Sequence, residues 1–193
     1  IAALDVKAKA RGLVCLTGVS SVPALSAAAV RVLAEGMADI HLIDTAILPG
    51  NRAPRGLSVI AAILAQVGRP VPIWRGGAVE PAQGWGWPLR LDLGFGRRWA
   101  SVIGAPDLVL FPQVFKARSV VFRAGLELSV MHLGLWALSL PIGAGLVRSL
   151  VPFARPLRWA ADWLKPFGTD RGGMRVLVAG ITAEGRAECR AWV

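Results

Sequence analysis

The chain has 193 residues, 54% hydrophobic and 18% charged, with a formal net charge of +10 and a mean hydropathy of +0.54. That composition excludes a disordered tail, which holds too few apolar residues to order itself; two cysteines (Cys15, Cys189) and two isolated histidines (His41, His132) exclude a disulfide scaffold and a zinc site. The basic excess is mostly arginine and dispersed (Arg52/Arg55, Arg97/Arg98 and Arg148/Arg155/Arg158 are the densest groups), so it lacks the clustered face of a nucleic-acid binder and reads as compositional bias with a few functional arginines.

Residues 1–12 read as the end of a helix stopped by Gly12, with basic residues in its last turn. Leu13–Thr17 is a continuous apolar run, as in a buried parallel strand, with Cys15 as a small core residue. A turn over Gly18–Pro23 then leads into a helix running to about Glu35, half of a βαβ unit. His41–Leu48 predicts a strand, Gly56–Val67 a helix, and Val71–Arg75 a strand. Residues 78–117, rich in Pro, Gly and Trp, read as a loop or lid holding short strands near Leu89–Leu91. Ser119–Arg123 is a further strand, followed by a long apolar helix broken at Pro141 and Gly143/Gly145 and two shorter helical pieces, broken at Pro152 and Pro156, reaching Lys165. Met174–Ala179 and Arg186–Val193 predict strands joined as a hairpin. The predicted class is α/β (α+β), a mixed sheet with helices packed on it. Both ends read as cut, which predicts a piece of a longer chain.

Leu128–Val147 carries no Asp, Glu, Lys or Arg, and about 20 such residues can span a bilayer. His132, Pro141 and three glycines argue against spanning. Contact of residues 128–165 with a membrane surface, through Arg148, Arg155, Arg158, Trp159 and Trp163, is one reading; burial in a homodimer interface is the one favoured.

Four ordered blocks carry a resemblance. Gly18-Val19-Ser20-Ser21-Val22-Pro23-Ala24-Leu25-Ser26, Pro49-Gly50-Asn51-Arg52-Ala53-Pro54-Arg55-Gly56, Ala124-Gly125-Leu126-Glu127 and Gly168-Thr169-Asp170-Arg171-Gly172-Gly173-Met174 resemble stretches of saccharopine dehydrogenase-like oxidoreductases. Ala24 departs from the family, which usually has Gly there. The resemblance implies an NAD(P)-dependent enzyme with a Rossmann domain followed by a substrate-binding and dimerisation domain; the expected location is cytoplasmic, with a position peripheral to a membrane as the alternative. Residues 1–36 would be the last piece of the Rossmann part and residues 37–193 the substrate and dimerisation domain. NAD(P) is expected in the full-length parent. This chain alone, having no Gly-x-Gly-x-x-Gly turn after a strand, is not expected to bind it tightly.

Within that frame Gly18, Ser20 and Pro23 are cofactor-proximal candidates. Ser20, Ser21, Arg52, Arg55, Asp170 and Arg171 are candidates for binding a small, amino-acid-like or other carboxylate substrate. The serines equally suit a helix cap. The arginines suit either a carboxylate clamp or a solvated loop. Asp170 and Arg171 suit fixing their own turn. Glu127 needs a partner such as Arg123 or Arg171, and His132 is read first as a core histidine and second as a proton shuttle. No nucleophile–base–orienter set emerges, so the catalytic residues are left unassigned.

Overall fold

Twelve residues, Met37–Leu48, form the central strand β1, whose apolar side chains are buried towards its carboxyl end. The computed structural model describes residues 2–14 and 20–193. Its class is α/β: a mixed sheet of eight strands with six α-helices packed around it among the described residues. In chain order these are α1 (Ala2–Ala10), α2 (Ser26–Leu33), β1, α3 (Leu57–Gln66), β2 (Pro70–Arg75), β3 (Ala78–Gln83), β4 (Leu89–Asp92) and β5 (Arg97–Val102). There follow α4 (Asp107–Phe115), β6 (Ser119–Ala124), α5 (Ser129–Gly143), α6 (Ala154–Trp163), β7 (Gly173–Thr182) and β8 (Ala187–Trp192). The main strand order is β3-β2-β6-β1-β7-β8, with β5 joining the end of β6 and pairing with β4.

Strand alternation divides the core, because successive side chains leave opposite faces. Ile43, Val120, Phe122 and Val176 pack with Val30 of α2 and Phe111 of α4. The intervening residues Ala46 and Leu48 meet Leu91, Leu93 and Ala100 of the β4–β5 hairpin. A separate cluster of Leu64, Leu126, Ile142, Leu150 and Ala154 joins α3, α5 and α6 just past the carboxyl end of β6.

Several expectations change. Leu13 and Val14 are exposed and lie in no strand, and the rest of that predicted strand, Cys15 included, falls outside the described residues. The helix after Pro23 begins only at Ser26, behind an irregular turn over Ser21–Leu25. In residues 78–117 the short strand expected near Leu89–Leu91 forms as β4, and the remainder, expected as a loop or lid, holds β3, β5 and α4. Pro81 is tolerated because β3 is an edge strand, where it sits opposite Pro72 and its absent N–H disturbs little of the ladder, while Pro112 lies inside α4. Pro141 lies in the last turn of α5 rather than ending it, and Pro156 falls in the first turn of α6, where no N–H is required. With α5 at 15 residues, no helix among the described residues is long and apolar enough to cross a membrane. The β7–β8 hairpin forms as its sequence predicts.

Asp107, the first residue of α4, is fully buried, and neither carboxyl oxygen closes a hydrogen bond; the neighbouring Ser26 hydroxyl is likewise unpartnered. Burial raises its pKa to about 6. The folded state therefore holds this proton more tightly than the unfolded chain, so stability is greatest below about pH 4 for this group and falls as pH rises to 6. Asp107→Asn is expected to flatten that slope and to stabilise the protein at pH 7 by about 1–3 kcal/mol, read from urea unfolding at pH 4, 5, 6 and 7.

Candidate functional site

Strands β1 and β6 run parallel, with Ile47 beside Ala124, while β7 runs antiparallel to β1 and enters at Gly173 opposite Leu48. Three connections therefore leave or enter the sheet at one place: 49–56, 125–128 and 168–172. The carboxyl ends of parallel strands are where open α/β sheets place ligands. Here that end gathers three of the four sequence blocks singled out above.

Glu127 ties them together. Its Oε2 accepts the backbone N–H of Asn51 at 2.6 Å and that of Thr169 at 2.8 Å. Its Oε1 accepts the Thr169 hydroxyl at 2.6 Å and Arg98 Nη2 at 2.8 Å. Arg98 also donates to the carbonyl of Leu48 at 3.2 Å. Burial works to raise the Glu127 pKa, but the Thr169 hydroxyl, the two backbone amides and Arg98 together hold it below the usual glutamate value. Asn51 closes the junction by donating its side-chain amide to the Leu164 carbonyl at 2.9 Å. The approach needs glycine. A Cβ on Gly50 would lie 2.7 Å from backbone atoms of Thr169 and Asp170, and one on Gly168 would run into the Asn51 side chain.

Against this junction lies a cavity of about 220 Å³ between α3, α5 and α6. Its wall is apolar (Ile60, Ile63, Leu64, Leu135 and Leu157 among others), and its polar groups are Asn51, Arg55, Asp162 and Lys165. Arg55 is half-buried, with Nη2 donating to the Gly50 carbonyl at 3.0 Å. Burial lowers its pKa, and the Glu127 charge acts in the opposite sense. Arg55 has no carboxylate within ion-pair distance among the described residues.

The two predicted arginines separate. Arg55 lines the cavity, whereas Arg52 is exposed and donates to the Pro166 carbonyl at 3.3 Å. Asp170 and Arg171 are exposed, and no side-chain hydrogen bond is made by either among the described residues; Thr169, between them and Gly168, makes the contact instead. Ser20 spends its hydroxyl within its own turn, donating to the Val22 carbonyl at 3.0 Å and accepting the Val22 N–H at 3.4 Å. Ser21 is exposed, Pro23 is partly buried after a cis peptide, and none of these three lines the cavity. Gly18 lies outside the described residues. The partner expected for Glu127 was Arg123 or Arg171; Arg123 instead pairs with Asp44 at 3.1 Å, and Arg98 takes the role. His132 is a core histidine. Its Nδ1 accepts the Leu126 N–H at 3.4 Å, which leaves Nε2 as the donor to Ser101 Oγ at 3.0 Å, and burial pushes its pKa down to about 4. It is neutral at pH 7, and with its hydrogen on Nε2 it has no lone pair facing Ser101 to take the hydroxyl proton.

Reading the sequence missed Arg98 and Thr169. A signal for Arg98 was present: it occupies the inward phase of β5, shared with the buried Ala100 and Val102. An arginine in that phase needs a buried acid.

No protein-family model matches the chain, and no curated protein matches it.

Removing the carboxylate strands Arg98 and three backbone or hydroxyl donors. Glu127→Ala is therefore expected to cost about 3–5 kcal/mol of stability in urea unfolding, as for other broken buried pairs, with Glu127→Gln falling between the variant and the parent.

Proposed function

We propose that this chain is the substrate and dimerisation region of a saccharopine dehydrogenase-like, NAD(P)-dependent oxidoreductase acting on a small carboxylate. One observation carries the reading: the blocks over 49–56, 124–127 and 168–174, far apart in sequence, meet at the carboxyl end of β1 and β6 beside a cavity that has Arg55 in its wall. Glu127 and Arg98 are positioning residues. They fix the loop that carries Arg55 and touch no substrate themselves. Arg55 would hold the substrate carboxylate through paired N–H donors, and the apolar wall would exclude water from the reacting end.

The dinucleotide needs another seat. Among the described residues no Gly-x-Gly-x-x-Gly turn leads from a strand into a helix, and Gly143-Ala144-Gly145 lies at the end of α5. Hydride transfer belongs to the cofactor when it is bound; binding and orienting the substrate belongs to these residues. Nicotinamide fluorescence during titration of the full-length protein with NADPH and with NADH is the test. Saturable binding of one of them is expected, and binding of neither overturns the oxidoreductase reading.

A second reading, a non-catalytic dimerisation module, is favoured by the apolar face of α5 and α6. Val130, Trp159 and Trp163 are 68%, 64% and 68% exposed, and the two tryptophan rings meet at a 52° tilt with centroids 5.2 Å apart. Light scattering should then show a dimer that Trp159→Ser/Trp163→Ser converts to a monomer. A monomer at every concentration removes that reading, and co-sedimentation with anionic vesicles assigns the face to lipid.

A further inference from the structure

We propose that the cavity between α3, α5 and α6 binds an aliphatic monocarboxylate, with the carboxylate on Arg55 and the hydrocarbon chain along the apolar wall. The proposal rests on the reading above that this cavity is the substrate site, and narrows its ligand to a chemical class.

Arg55 is the anchor. A guanidinium carries five N–H donors, and among the described residues the half-buried Arg55 makes one hydrogen bond, to the Gly50 carbonyl. The nearby negative charge is already used, since the Glu127 oxygens are occupied by Arg98, Thr169 and the Asn51 amide. A partly desolvated cation without an acid favours an anion from outside the chain, and a carboxylate matches its planar fork.

The rest of the wall sets what else the ligand carries. An amino acid would need an acid for its ammonium group. The only acidic residue in the lining is Asp162, which Lys165 holds at 2.7 Å and Arg158 at 3.8 Å. A dicarboxylate would need a second unpaired cation, yet Lys165 is the only other one in the lining and is engaged by that same pair. Everything remaining is hydrocarbon. At about 220 Å³ the space lies below the roughly 300–1,000 Å³ of drug-sized ligand sites, which suits a chain of medium length. A longer tail would leave past Val130 and Leu138, apolar residues of the lining that are also exposed.

Gly134 supplies the decisive variant. It lies in the cavity wall within α5, and a Cβ built on it meets nothing within 4 Å. Gly134→Leu therefore projects into the cavity without a clash at its root and replaces a poor helix former with a good one. Calorimetric titration of this chain with octanoate, octan-1-ol, glutamate and lysine tests the assignment, with melting temperature as the fold control. Expected are saturable octanoate binding at one site, at least tenfold weaker binding of octan-1-ol, glutamate and lysine, at least tenfold weakening in Arg55→Gln, and loss of binding in a Gly134→Leu variant that melts no lower than the parent. No binding of octanoate, equal binding of octan-1-ol, or undiminished binding by folded Gly134→Leu overturns it. Octanoate binding beside a full-length protein that ignores both nicotinamides would sink the oxidoreductase reading and leave this one standing. Nicotinamide binding without octanoate binding would do the reverse.

Discussion

A buried carboxylate has to be satisfied on all sides, and Glu127 shows how far that requirement shapes a fold. Its four donors come from β5, from the loop after β1 and from the loop before β7. Each segment must arrive in register for the charge to be tolerated at all, since an unpaired buried ion costs several kcal/mol. The consequences spread outward from there. Gly50 and Gly168 are glycine because the loops pass within backbone contact. Asn51 reaches Leu164 because its own amide is fixed on Glu127. Arg55 sits in the cavity wall because the turn that holds Asn51 sets where it emerges. The cavity thus adjoins an electrostatic junction whose own charges are already paired.

Much of this architecture can be read from the residues. The strands around His41–Leu48 and Ser119–Arg123, the helix after Gly56 and the final hairpin follow from apolar runs bounded by Gly and Pro, and all appear. Of the 78–117 region only the short strand near Leu89–Leu91 yields to that reasoning, because the prolines and glycines suggest loop when each is taken alone. Pro81 is compatible with a strand because β3 lies at the sheet edge, a fact of strand order that no local pattern contains. The site divides in the same way. Motif residues led to Arg55 and Glu127. They led equally to Asp170 and Arg171, which point to solvent, because a turn's sequence does not say which of its side chains faces inward. Thr169 and Arg98 were hidden for a related reason: a threonine hydroxyl and an inward arginine acquire meaning only beside the acid they serve.

The unusual pairing of high hydropathy with positive charge resolves into separate causes. Part of the apolar content fills the buried face of the sheet, where every second residue of β7 (Met174, Val176, Val178) is buried. Another part lines the cavity, and a third lies exposed on α5 and α6. Among the described residues seven of the 18 arginines form ion pairs, with Arg98 and Arg123 the buried ones, and the excess charge is carried by the others. Neither property of the composition names a partner by itself. The one place where both matter together is Arg55, a cation set into a hydrocarbon wall.

The pairing of β1 with β6 and β7 also bears on how the molecule comes to have a site. Asn51 and Glu127 are 76 positions apart, and Glu127 and Thr169 a further 42. Contacts of such long sequence separation form only after large loops have closed, which places this protein among topologies that fold slowly. The cavity mouth therefore cannot preform in any short stretch of the polypeptide. It comes into being with the central sheet, so a molecule that occupies it acts on the folding equilibrium of the whole rather than on one loop.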